Sequence, residues 1–151
     1  MNMVSPQTYR RLARAREFIR DAHARRISLG EIAQHANLSP HHFLRAYKRV
    51  FQETPHDYLT RVRLERAKTL LSRGGMSVSE ACLAVGFESF STFSGLFLRE
   101  VGLPPSQYRK YARSQFPIPV VYRSLFVPAC FLRMYRVLDQ EGNFEEAQPG
   151  L

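Results

Sequence analysis

The chain has 151 residues, with 22 Lys or Arg against 13 Asp or Glu, a net charge of +9 and a pI near 10.2. That length holds one domain with a real core, or two very small ones on a shared scaffold. An apolar content of 44% excludes a disordered chain, and the two distant cysteines, Cys82 and Cys130, leave no ligand spacing for a metal site.

The charge is uneven. Residues 1–113 hold 19 cations and nine acids, whereas residues 114–151 hold three and four. A basic first three-quarters suggests a polyanion partner. Nineteen of the cations are arginine. The arginine fork matches phosphate and the guanine edge, although a high-GC genome gives the same bias. The N-terminus has no apolar core of a signal peptide. The apolar stretch 116–138 is interrupted by Pro117, Pro119, Arg123, Pro128 and Arg133, so no membrane span is expected. A cytoplasmic protein with reduced thiols fits these features.

After Ser5-Pro6, the spacing of Tyr9, Leu12, Ala15, Ile19 and Ala22 predicts an amphipathic first helix. Its Arg10, Arg11, Arg14 and Arg16 read either as a phosphate clamp or as a solvated face. Ser28-x-x-Glu31 is a capping box and opens a short helix, Leu29–Ala36. Asn37 tolerates the left-handed conformation that makes a sharp turn. Ser39-Pro40 starts the next helix, which runs to about Phe51 with Phe43, Tyr47 and Val50 inside. Thr54-Pro55 caps a longer helix of about 17 residues, roughly 25 Å. Leu59, Val62, Ala67, Leu70 and Leu71 line one side of it; Arg61, Arg63, Arg66 and Lys68 take much of the rest. Gly74-Gly75 stops it. Ser77-x-x-Glu80 repeats the capping box before Val78–Val85, Gly86 turns the chain, and Ser89–Arg99 and residues 104–112 complete seven helices.

These elements form an internal repeat. Ser28 aligns with Ser77, Glu31 with Glu80, Ala33 with Cys82 and Leu38 with Phe87, at an offset of 49. After one inserted residue, Phe43 aligns with Phe93, Tyr47 with Phe97, Pro55 with Pro105 and Tyr58 with Tyr108, at an offset of 50. One supersecondary unit is used twice. Each copy is a short helix, a tight turn and a helix with a polar outer face, the pattern of a helix-turn-helix whose second helix enters a major groove.

In the first copy the outer positions are His41, His42, Leu44, Arg45, Lys48, Arg49 and Gln52. Arg45 suits guanine O6 and N7; Lys48 and Arg49 suit phosphates. The paired histidines read as DNA contacts or as a pH sensor, since imidazole titrates near neutrality.

The chain resembles the DNA-binding region of the AraC/XylS transcription regulators over roughly residues 8–112. The resemblance rests on EIAQHANLSPHHFLRAYKRVF, on P-x-x-Y-L-x-x-x-R-L-x-x-A-x-x-L-L from Pro55 to Leu71, and on VGFESFSTFSGLF…GLPPSQYR. It implies an all-α domain over 1–112: a first unit at about 8–57, a rigid linking helix at about 55–73, and a second unit at about 77–112. It also implies recognition helices at 40–51 and 89–99 in successive major grooves, and a role in transcription, usually activation, beside RNA polymerase. Carried over by position, His41 and Arg45 read bases with His42 and Leu44 adjacent, and Phe90, Ser91, Thr92, Ser94 and Gly95 hold the second reading positions.

Two departures stand out. The family often has a basic residue at the place of Gly95 and a Lys at that of Leu98, and a Gly before the pair here written Thr54-Pro55. The second helix therefore reads by weaker means: Ser and Thr hydroxyls, and Phe90 or a Thr methyl against a thymine methyl. Loss of an Arg–guanine pair removes about 1–3 kcal/mol of discrimination, and a mid-helix Gly costs about 1 kcal/mol. The first unit is expected to dominate. The opposing reading is that Phe90 and Leu98 pack against protein.

No GxSxG, P-loop or HExxH motif occurs, so neither an enzyme nor a cofactor is expected. Cys82 reads as a buried, inert thiol, and His23, His35 and His56 as surface or capping residues. Almost nothing precedes the first helix, so the chain resembles the small stand-alone members that bind an asymmetric site as monomers. Residues 113–151 form an extension of β or mixed structure, with VVYRSLFV as a strand and the last 13 or so residues disordered. Its apolar part folds back on the basic domain, joins a partner or second copy, or forms a small-molecule pocket. Two functions stand: a sequence-specific DNA-binding regulator, or a protein-interaction module that works through the apolar tail.

Overall fold

The computed structural model describes residues 4–114. The expectations for the extension, including Cys130, the strand and the disordered end, lie outside the described residues. Within them there are seven helices and no strand: α1 (Pro6–Asp21), α2 (Leu29–His35), α3 (Pro40–Phe51), α4 (Pro55–Arg73), α5 (Val78–Ala84), α6 (Phe90–Val101) and α7 (Pro105–Arg113). The expected boundaries hold to within two residues. Ser89 is the N-cap of α6 rather than its first residue.

The helix starts are chemically specified. Ser28 Oγ accepts from the Glu31 amide at 3.1 Å while Glu31 accepts from the Ser28 amide at 2.8 Å. Ser77 and Glu80 repeat this at 3.1 and 2.6 Å. Thr54 and Asp57 form a third box that the sequence reading described only as a cap. These bonds hold the carboxyls of Glu31 and Glu80 below the usual glutamate range, chiefly through the Ser28 and Ser77 amides. Asp57 is lowered chiefly by the Thr54 hydroxyl. Asn37 (φ 51°) and Gly86 (φ 91°) both take the left-handed turn between the two helices of their unit.

The core has two centres. Leu12, Ala15, Ile19, Ile32, Ala33, Phe43 and Tyr47 form the first with Tyr58 and Leu59 from the start of α4. Cys82, Val85, Phe87, Phe93, Phe97 and Tyr108 form the second with Leu64, Ala67 and Leu71 from the rest of α4. The linking helix thus serves both units. The repeat survives as geometry: the Phe43–Tyr47 rings lie 5.4 Å apart at 53°, and the Phe93–Phe97 rings 5.5 Å apart at 58°.

Some expectations shift. Leu64, absent from the expected apolar side of α4, is buried, whereas Val62 and Leu70 are only partly so. Tyr9 is half exposed and leans on Phe51 rather than entering the core. Arg16 is neither a phosphate clamp nor solvated. Its guanidinium lies 4.4 Å from the Phe51 ring centre and 4.2 Å from that of Tyr58, and it donates to Glu53 at 2.8 Å. Arg61 donates to the same carboxylate at 2.9 Å. Stacking and pairing let both arginines cover apolar rings while each keeps a bond to Glu53, although the Arg16 Nε is buried without a partner.

Candidate nucleic-acid interface

Helix α3 is built so that its two sides differ. Ser39 accepts from the His42 amide and Pro40 occupies the first turn, where its missing N–H costs nothing. Phe43, Ala46 and Tyr47 then fall on the inner side and are buried. His41, His42, Arg45, Lys48 and Arg49 fall outside and are exposed; Leu44, between the two, is half-buried. Ser39, His41, His42, Arg45 and Arg49 border one shallow depression. Among the described residues no acid pairs with Arg45, Lys48 or Arg49, whereas Arg16, Arg25, Arg26, Arg61, Lys68 and Arg99 all have acidic partners. Gln52 does not continue this face. It sits one residue past the helix at φ 57°, and its side-chain amide donates back to the Arg49 carbonyl at 2.8 Å.

Helix α6 has the same construction and a different surface. Ser89 accepts from the Thr92 amide, and Phe93, Phe97 and Val101 point inward. Phe90, Ser91, Thr92, Gly95 and Leu98 are exposed, Phe90 by 51% and Leu98 by 44%. Among the described residues each keeps about half of its surface open, Phe90 beside the Phe93 ring at 6.5 Å, so neither is packed fully into protein. A Cβ added at Gly95 would meet no atom outside its own stretch of helix within 4 Å. Ser94 departs from the expected reading set: its hydroxyl is buried without a hydrogen-bond partner. It stands at the repeat position of Leu44, which is also turned partly inward.

The 50-residue offset brings out a residue the sequence reading passed over. Arg99 corresponds to Arg49 and is exposed at the end of α6, but it donates to its neighbour Glu100 at 3.2 Å. Cys82 lies in the second core, 2% exposed, and burial raises its thiol pKa, so the thiolate is disfavoured. His35 stacks on Phe18 at 3.7 Å and His23 Nδ1 lies 2.7 Å from the Arg20 carbonyl, both local packing roles. Among the described residues no cluster of His, Cys, Asp or Glu is placed to hold a metal, and no helix is long and apolar enough to cross a membrane.

Comparison with known proteins agrees with this architecture. A family profile described as a helix-turn-helix domain matches residues 32–111. The melibiose operon regulatory protein of Escherichia coli is 32% identical over 103 residues, covering 66% of this chain and 34% of its own length. The chain therefore spans about a third of that curated relative. The DNA-binding domain of AdpA, described as a global transcriptional factor and solved in complex with a target DNA, superposes with a TM-score of 0.65 at 26% identity, over 70% of this chain and 96% of that one. An AraC-type DNA-binding domain protein from Chromobacterium violaceum shares the fold, with a TM-score of 0.66 at 23% identity over 74% of this chain and 100% of that one. With two matching helix-turn-helix units on one linking helix, the chain belongs to the AraC/XylS family.

Proposed function

We propose that this chain is a sequence-specific DNA-binding transcriptional regulator that uses α3 and α6 in successive major grooves of an asymmetric site. The observation that carries this reading is the exposed face of α3, where Arg45, Lys48 and Arg49 have no acidic partner among the described residues. Arg16, Arg25, Arg26 and Arg61 meet the fold's own acids, whereas Arg10, Arg11, Arg14, Arg66 and Arg73 also lack an acidic partner among the described residues; what sets α3 apart is that its three cations share one exposed helix face with His41 and His42. Arg45 reads guanine, His41 and His42 contact adjacent bases, Leu44 packs beside them, and Lys48 and Arg49 hold phosphates. On α6, Phe90, Ser91 and Thr92 make softer contacts and Gly95 lets the backbone approach closely. Ser94 turns its hydroxyl inward and makes no base contact. The DNA-binding domain is 1–112, residues 113–151 are an extension, and the protein acts as a cytoplasmic monomer that activates by touching RNA polymerase.

Half exposure of Phe90 and Leu98 favours a second reading, in which α6 and the apolar tail bind a protein. Titration of a fluorescent random duplex at rising salt separates the two. The regulator reading predicts that log Kobs falls linearly with log salt, by about 0.9 for each phosphate neutralised. An interaction module shows no measurable duplex binding at low salt.

A further inference from the structure

The two units touch each other directly, and not only through α4. The loop that joins α1 to α2 rests on the turn between α5 and α6. At Gly86 the approach is so close that an added Cβ would lie 2.8 Å from the Ala24 carbonyl oxygen and 2.9 Å from that of His23. Arg63, from the middle of α4, ties this seam. Its Nε donates to the His23 carbonyl at 2.8 Å and its Nη2 to the Arg25 carbonyl at 3.1 Å, while its guanidinium lies 5.6 Å from the Phe87 ring centre. Arg26 and Glu88 close the outer edge as an ion pair. That pair is exposed and contributes little. Arg63 is half-buried and forks two carbonyls of the first unit while it covers an aromatic ring of the second.

We infer that Arg63 is a positioning residue that locks the separation and relative rotation of α3 and α6, and so sets the half-site spacing the protein accepts. The spacing part of this inference rests on the DNA-reading proposal; the lock itself does not. A helix alone can bend and twist slightly, but a second contact away from its axis removes that freedom. One added base pair moves the second half-site by about 3.4 Å and rotates it by roughly 35°. A locked protein must then lose one half of its contacts.

Two measurements on the full chain test this. In the first, spin labels at Gln34→Cys and Ser79→Cys, with Cys130→Ser, report the distance between units by pulsed electron resonance without DNA. A single narrow distribution is expected for the parent, and a clearly broader one for Arg63→Met, which keeps the apolar stem and loses both donors. If Arg63→Met does not fold, Arg63→Lys replaces it, since one ammonium cannot fork two carbonyls in the same geometry. Equal widths in parent and variant, or a broad parent, overturn the lock. In the second, duplexes from a selected motif carry one base pair more or less between halves. The parent is expected to lose about tenfold or more in affinity per register change, and the variant less than about threefold. An unchanged spacing profile in the folded variant overturns the inference. Failure of the parent to bind any duplex sinks the DNA reading and the spacing claim, and leaves the label distances to decide the lock.

Discussion

Arg45 and Gly95 stand at the same position of the two reading helices, one an exposed cation and the other bare backbone with open space above it. Lys48 and Leu98 form the next such pair. The two units repeat one core pattern and differ on the surface, so differences in reading trace to these few side chains. The consequence is directly measurable at Gly95. Gly95→Ala should stabilise the domain by about 1 kcal/mol, because nothing crowds the new methyl and the helix loses a flexible interior glycine. Gly95→Arg should restore a phosphate or base contact and steepen the salt slope of duplex binding by about 0.9. Thermal melts and salt titrations of the two variants check both values.

The second reading helix is predicted to recognise thymine methyls. Phe90 and Leu98 are the exposed apolar groups on α6, and no cation stands between them. Replacing a contacted thymine by deoxyuridine in the second half-site should weaken binding by about 0.8 kcal/mol, roughly fourfold per methyl. The same replacement in the first half should matter less, and Phe90→Ala should remove the effect. Competition binding with the substituted duplexes measures it.

Tyr47 and Phe97 occupy equivalent core positions, yet the Tyr47 hydroxyl is fully buried with no partner among the described residues. Burial raises its pKa, so the phenol stays protonated. Tyr47→Phe should therefore stabilise the first unit by about 1 kcal/mol. Gln52 and Gly102 are a related pair, both left-handed at the end of a reading helix, at φ 57° and 81°. The side-chain strain of about 1–2 kcal/mol exceeds the entropic cost of glycine, about 0.5–1 kcal/mol. Gln52→Gly should gain roughly 0.5 kcal/mol. Denaturant midpoints at unchanged slope are the readout for both.

The capping acids set the acid side of stability. Glu31, Glu80 and Asp57 all have folded pKa values below their ordinary ones. Their contribution is fully present above about pH 4–5 and is lost as pH falls through the lowered values. Glu31→Gln with Glu80→Gln keeps the hydrogen-bonding shape and removes the charge. That pair should flatten the fall in melting temperature as pH drops below the ordinary glutamate range.

Much of this fold was legible before any coordinates. Repeated Ser-x-x-Glu boxes, Asn37 and Gly86 at one turn position, and aromatic residues 50 apart specify two copies of one unit by local chemistry alone. What stayed hidden depends on partners distant in sequence. Arg16 looks like a surface cation until Glu53, Phe51 and Tyr58 are brought to it, and Arg63 until the His23 and Arg25 carbonyls are. Gln52 gave no sign of a left-handed conformation because its residue type rarely adopts one. Ser94 stands among the reading positions by family resemblance alone, and position in a motif does not reveal that the hydroxyl is buried on α6. On α3 every expected polar side chain up to Arg49 reaches solvent, since alternation between core aromatics and cations leaves no other arrangement.

The most direct test of unequal reading is selection from a random duplex library with the parent chain and Arg45→Ala side by side. A bipartite asymmetric motif is expected for the parent, with halves about one turn, ~34 Å, apart and more sequence information in the half contacted by α3. Arg45→Ala should blur a guanine in that half and leave the other unchanged. Enrichment of no motif, with only salt-sensitive generic binding, would contradict the claim. So would an Arg45→Ala motif identical to the parent's.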